Sequence, residues 1–194
     1  ACLLRRVSPD LLHDNSLAMS RLSGPVAAEA GIPSIGHLRD IVRLSQQAIG
    51  DLNRHRRLLA VSHAVRAYHI DAGLAGAKAH VVYNGIDLTR FRPRQPTGYL
   101  HRELVLPPDA YLIGTIGQIC LRKGQDVLTA AATGLAERFP AVHYLIVGRR
   151  HSQKQESAEF EASLSRASEQ GPLAGRLHLL GERHDVDRIL NELA

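Results

Sequence analysis

The sequence predicts an α/β chain of the doubly wound, parallel-sheet type, and three observations carry that reading. Short apolar runs recur along its 194 residues, at Leu11–His13, Ser34–Leu38, Leu58–Val61, His80–Tyr83, Tyr111–Ile119, Val142–Val147 and Arg176–Leu180. They are nearly continuous rather than alternating, as expected of strands buried on both faces of a parallel sheet. Segments of helix length separate most of them, which is the alternation of βαβ units.

The clearest helix is Gln125–Phe139, where Val127, Leu128, Ala131, Leu135 and Phe139 recur at helical spacing while Asp126, Glu137 and Arg138 fall elsewhere. The stretch Leu88–Asp109 breaks the rhythm. Pro93, Pro96, Pro107 and Pro108 crowd in with Arg90, Arg92 and Arg94, which reads as a linker. The expected organisation is therefore one domain over residues 1–90, a linker over 91–109 and a second domain over 110–194. Ahead of the linker, Asn84-Gly85 reads as a tight turn, with Asp87 capping the next segment. Each half holds fewer strands than the usual sheet of about five or six. The chain starts with Ala, and Asp185–Ala194 reads as a helix without a stop signal, so both domains are expected to be truncated.

With 44% hydrophobic and 22% charged residues the composition is that of a globular protein. No run approaches the roughly 18 to 20 apolar residues of a membrane span, and no signal-peptide pattern opens the chain, so a cytoplasmic location is expected. Cys2 and Cys120 share no metal or redox spacing, and no His/Asp/Glu cluster has metal spacing, so neither a disulfide nor a bound metal is expected. His143, inside an apolar run, reads as a packing or surface residue. The net charge of +5 suits an anionic partner: a phosphorylated small molecule, an acidic membrane surface met peripherally, or a nucleic acid. With 4% aromatic residues and no recognised binding motif, nucleic acid is disfavoured.

Chemistry concentrates in Tyr111–Gly124, YLIGTIGQICLRKG, where a strand runs into a Gly-bearing loop, then Arg122, Lys123 and Gly124, then a helix. Glycine admits close backbone approach, a helix N-terminus offers unpaired N–H groups, and two cations complete a phosphate site. A solvated basic turn is the plainer alternative. There is neither a Walker Lys-Ser/Thr pair nor a full Gly-x-Gly-x-x-Gly, which disfavours kinases and dinucleotide enzymes.

VSHAVRAYHIDAGLAGAKAHVVYNGIDLTRF (Val61–Phe91), IGTIGQICLRKGQDVLTAAATGLAERFPAVHYLIVG (Ile113–Gly148) and LLGERHDV (Leu179–Val186) together resemble the retaining GT-B glycosyltransferases of family 4. The resemblance implies two Rossmann-like domains, the first facing the acceptor and the second holding a nucleoside-diphosphate sugar. It places the donor diphosphate at Gly117, Gln118, Arg122 and Lys123, with Lys123 matching the family's lysine. Gln118 stands where the family carries arginine, and Arg122 is expected to supply the missing charge. Gly181 and Arg183 fall in the loop beside the donor nucleoside.

On the acceptor side, GIPSIGHLRDI (Gly31–Ile41) resembles the strand whose tip faces the cleft. Arg39 takes the place of the family's histidine, His37 lies on the same strand face, and His13 is a weaker candidate; a structural role, with Arg39 paired to Asp40, stays open. The family's paired glutamates are expected beyond Ala194. Glu161 and Glu169 copy their spacing, but in the polar helical context EASLSRASE rather than a Gly- and Pro-bearing one.

The implied activity is retaining transfer of a hexose to a hydroxyl on a glycan or lipid-linked acceptor, with no cofactor besides the donor. The rival readings are a non-catalytic nucleotide-sugar-binding module and, less favoured, a basic nucleic-acid-binding protein. Self-association through exposed sheet edges is a further expectation.

Overall fold

A computed structural model describes residues 2–194. The chain divides into two compact units, Ala1–Ile86 and Asp87–Ala194.

The first unit runs α1 (Cys2–Val7), β1 (Leu12–Asp14), α2 (Leu17–Glu29), β2 (Ser34–Leu38), α3 (Gln46–Leu52), β3 (Arg57–Ala60), α4 (His63–Asp71) and β4 (Ala79–Val81). Its four strands are all parallel, in the order β1-β2-β3-β4. Each strand-to-strand step has the same sense, so right-handed crossovers place α2, α3 and α4 on one face. Ser16, Ser45 and Ser62 cap α2, α3 and α4 by accepting from the N–H three residues on, which fixes where each helix starts. The core on that face contains Leu17, Leu38, Leu52, Leu58, Ala60 and Val65. A buried polar pin crosses it: His55 Nε2–H donates to the Ser20 carbonyl at 2.7 Å, leaving Nδ1 to accept from the Ser34 hydroxyl at 2.8 Å. All three residues are buried, so the fully satisfied set locks one arrangement of α2 against β2.

The second unit runs α5 (Tyr99–Glu103), β5 (Tyr111–Ile116), α6 (Gln125–Leu135), β6 (Val142–Val147), α7 (Gln155–Glu169), β7 (Leu177–Gly181) and α8 (Val186–Ile189). Its parallel strands lie in the order β5-β6-β7. One face packs Tyr144, Ile146 and Leu177 against Ala132 of α6, Ala136 just after it, and Phe160 and Leu164 of α7. The other packs Leu112, Leu145 and Val147 against Leu100 of α5 and Ile189 of α8. The outer edge of β5 receives one hydrogen bond, from the Ala194 N–H to the Leu112 carbonyl at 2.9 Å. Both units are thus parallel α/β layers of Rossmann-like type.

β2 and β6 have the expected bounds, and β5 stops at Ile116 because Gly117 turns the chain. α6 ends at Leu135, four residues early, and its inward face differs from the expected stripe. Ala132 and Ala136 are buried while Val127 and Leu135 are exposed. Small residues let α6 lie close on the sheet, and the larger ones turn outward. The tail expected as a helix is helical only over α8.

The proline-rich segment 91–109 is built into the second unit rather than spanning freely between the halves. Leu100 is fully buried, and the Glu192 carboxylate accepts from the Thr97 N–H, the Thr97 hydroxyl and the Gly98 N–H at 2.6, 2.7 and 2.8 Å. Asp87 caps the turn before it, accepting from the Thr89 N–H at 2.9 Å. Among the described residues no helix is long and apolar enough to cross a membrane.

Candidate functional site

In open parallel sheets, ligands gather at the carboxyl ends of the strands. In the second unit those ends finish on Gly117, Gly148 and Gly181. Gly117 N–H donates to the Val147 carbonyl at 2.8 Å, and Gly148 N–H to the Gly181 carbonyl at 2.7 Å. These bonds tie the three strand ends into a floor of glycines. Gly148, at φ 141°, is where this matters most: an added Cβ would sit 2.8 Å from the Gly117 carbonyl carbon and nearer still to its oxygen. Sequence reasoning did not single out Gly148, although a glycine closing strand after strand was a visible signal.

The loop leaving β5 is held from below. Gln125, 1% exposed, donates from Nε2 to the Gln118 carbonyl at 3.0 Å, and its Oε1 has no partner. Leu121–Lys123 form a single 3-10 turn, and Gly124, at φ 70°, ends it and begins α6. No side chain caps α6, so its first-turn N–H groups stay open to an anion.

The Lys123 side chain lies over Gly117, its Cε 4.0 Å from where a Gly117 Cβ would stand. Gly117, Gln118 and Lys123 therefore share one loop mouth. Arg122, in the same 3-10 turn as Lys123, lines a cavity with Gln118, Ser152 and Lys154.

Arg183 differs from expectation. Its guanidinium forks onto Asp185, Nε to Oδ1 and Nη2 to Oδ2 at 2.9 Å each, and again onto Glu103. Tyr99 donates its hydroxyl to Asp185 Oδ2 at 3.0 Å, and Arg188 lies 4.4 Å over the Tyr99 ring. The bonds from Asp185 and then Glu103 raise the Arg183 pKa, and the bond from Arg183 holds Asp185 well below the usual carboxylate range. Burial and then Asp185 push Tyr99 up to about 12. Arg183 fastens the loop after β7 to α5, and nothing lies within 4 Å of where a Cβ on Gly181 would stand.

In the first unit the carboxyl ends of β1 and β2 bring His13, His37 and Arg39 together. The two imidazoles meet edge to face with centroids 5.0 Å apart. Arg39 reaches Asn15 (Oδ1 at 3.2 Å) and Asn84 (Oδ1 at 3.4 Å) instead of pairing with Asp40. Gly36 keeps the opposite face of β2 flat: a Cβ there would stand 2.9 Å from the Ser20 hydroxyl. Burial, then His13 and Arg39, lower the His37 pKa, so its ring is neutral near pH 7; its Nδ1 is buried without a partner. Asn15 and Asn84, which orient Arg39, were not anticipated, because one lies in a loop and the other in the turn at Gly85.

The remaining expectations resolve locally. Glu161 pairs with Arg150 at 2.9 Å. His143 is buried against His178, Nδ1 to Nε2 at 3.1 Å. Among the described residues no group of three or more His, Cys, Asp or Glu side chains is placed to hold a metal ion.

Two parallel Rossmann-like sheets with glycine and basic residues at their carboxyl ends have the GT-B fold of glycosyltransferases, and known proteins agree with it. Residues 2–90 match the model of Glycosyltransferase Family 4. A D-inositol 3-phosphate glycosyltransferase of Thermobifida fusca is 26% identical over 157 residues, 72% of this chain and 36% of that protein. D-inositol 3-phosphate glycosyltransferase 2 of Catenulispora acidiphila is 30% identical over 153 residues, 68% of this chain and 34% of that protein. Among solved structures, Anabaena HepE in complex with UDP superimposes with a TM-score of 0.82 at 23% identity, covering 99% of this chain and 54% of that one. A glycosyltransferase from Rickettsia africae gives 0.73 at 16% identity, covering 98% and 51%. The family 4 match lies in the first unit, and the chain spans about a third of the length of these curated relatives.

Proposed function

We propose that the parent protein transfers a hexose from a nucleoside-diphosphate sugar to a hydroxyl acceptor with retention of configuration, and that the second unit holds the donor. The carrying observation is the loop mouth of Gly117, Gln118 and Lys123 beside the uncapped N-terminus of α6. Lys123 and the helix N–H groups would bear the negative charge that grows on the departing diphosphate, a role in which preorganised donors contribute most. Gln118 contributes an amide N–H without charge, so neutralisation rests on Lys123. Support for the donor class comes from Anabaena HepE, solved with UDP and with UDP-glucose.

In the first unit, neutral His37 and Arg39 would orient the acceptor or the transferred sugar. Glutamates beyond Ala194 would complete the donor-sugar contacts. The acceptor is a glycan or a lipid-linked alcohol, and the net positive charge suits a protein that meets its acceptor at an acidic membrane.

Calorimetric titration of the chain with UDP, GDP and ADP tests the donor site. Saturable binding of one of them, lost in Lys123→Ala with unchanged circular dichroism, is the expected result. Binding that survives Lys123→Ala would overturn the assignment.

A further inference from the structure

Gln125, the first residue of α6, is a polar side chain in a buried place: it is 1% exposed, and among the described residues only one end of its amide is used. The group it meets at 3.0 Å is the Gln118 carbonyl, an acceptor, so the atom facing it is the donating Nε2, and Oε1 is left without a partner. A buried amide oxygen with no donor is costly, and an apolar side chain of the same length would avoid that cost. The bond does not cap α6 either, because it leaves the helix for the loop ahead of it.

The Gln118 carbonyl and the Ile119 N–H belong to one planar peptide unit. Gln125 holds the carbonyl end, and the N–H end donates at 3.0 Å to the carbonyl of Arg149, in the loop after β6. Bonds on opposite sides block rotation of this plane about the chain. Beyond it the Ile119 side chain, 5% exposed, is sunk in the core of the sheet face. With Ile119 anchored, fixing the plane fixes the direction of Gln118 and of the Gly117–Gln118 peptide ahead of it. Because Gln125 is itself part of α6, the same bond also sets Gln118 at a fixed place relative to the open N–H groups of the first helical turn. Those groups, Gln118 and Lys123 have to converge on one diphosphate, and a loop already ordered spares the ligand the entropy of arranging them.

We infer that Gln125 is a positioning residue for donor binding: from beneath the loop, and out of reach of the ligand, it clamps the Gln118–Ile119 peptide so that the mouth is preformed at the start of α6. The inference rests on the donor reading above.

The test is Gln125→Met, which keeps the length of the side chain and its helix propensity but has no N–H to donate. It removes the orphan Oε1 while freeing the Gln118 carbonyl, so the melting temperature should stay within about 3 °C of the parent. Hydrogen exchange of the Ile119 amide should quicken about threefold to tenfold, the worth of one hydrogen bond, with the Leu145 amide inside β6 unchanged. In calorimetric titrations with UDP, GDP and ADP, affinity for whichever nucleotide the parent binds should fall by a similar factor. Gln125→Asn, whose amide is one methylene short of the Gln118 carbonyl, should lose the same affinity. Affinity within twofold of the parent in both variants, or unchanged Ile119 exchange in Gln125→Met, would overturn the proposal. So would a melting temperature lowered by about 10 °C or more with affinity retained, the behaviour of a residue that only supports the fold. Failure of the parent to bind any of the three nucleotides would strike the donor reading and the positioning role with it, whereas binding indifferent to the side chain at position 125 strikes the positioning role alone.

Discussion

Replacing Gly148 with alanine is the sharpest perturbation of the strand-end floor. The new methyl would stand 2.8 Å from the Gly117 carbonyl carbon, against backbone that cannot rotate away, and φ at 141° is a conformation that L-residues rarely adopt. Overpacking and backbone strain each cost about 1–3 kcal/mol, so a loss of roughly 2–5 kcal/mol is expected. In a unit of this size each kcal/mol lowers the melting temperature by about 4–8 °C, so thermal circular dichroism should show a fall of about 10 °C or more. Gly134→Ala is the matched control: it lies in α6 with nothing within 4 Å of the new Cβ, and should stabilise by about 0.5–1 kcal/mol. Relief of the clash would require Gly117 to move, so nucleotide affinity should fall together with stability. A Gly148→Ala protein melting within about 3 °C of the parent, under 1 kcal/mol, would refute the close approach of the two glycines.

Val105 is the converse case. It occupies the left-handed position after α5, at φ 54°, with Leu106 N–H donating to the His101 carbonyl at 2.8 Å, and it is 89% exposed. Val105→Gly removes a steric penalty of about 1–2 kcal/mol while losing almost no burial, so chemical denaturation should show a gain of about 1 kcal/mol after glycine's added unfolded-state entropy. Glu192→Ala removes an acceptor of three hydrogen bonds and should cost about 2–4 kcal/mol in a denaturant titration. Burial opposes its charge, yet the bonds from Thr97 and Gly98 lower its pKa. Its contribution is therefore present above the ordinary glutamate range and lost as pH falls through the lowered value, so the parent–variant difference should shrink in acid. For His143 and His178, burial comes first in lowering both pKa values, with Arg176 and His101 next for His143 and His143 next for His178. The unfolded chain takes up these protons first, so stability should fall as pH drops below about 6.5 toward the lowered values. His178→Gln should flatten that slope in melts between pH 7.5 and 5.

Local pattern was enough for the parallel α/β class, the bounds of β2 and β6, and the loop–helix junction that brings Lys123 over Gly117. Continuous apolar runs, glycine at strand ends and helix periodicity are short-range features, legible without knowing what each segment packs against. The family resemblance was legible for the same reason, because it rests on the order of blocks along the chain.

Packing selected which of several plausible faces and partners each residue took. α6 buries Ala132 and Ala136 instead of Val127 and Leu135, because closeness to the sheet, not hydrophobicity alone, selects the contact face. The proline-rich segment folds onto the second unit because Leu100 finds a core and Thr97 and Gly98 find Glu192, 95 and 94 residues away, which no local pattern reveals. Arg183 is consumed by Glu103 and Asp185, because a guanidinium goes to whichever carboxylate the fold sets beside it. Residue type limits what a side chain can do, and only the packed neighbours determine which of those options it meets.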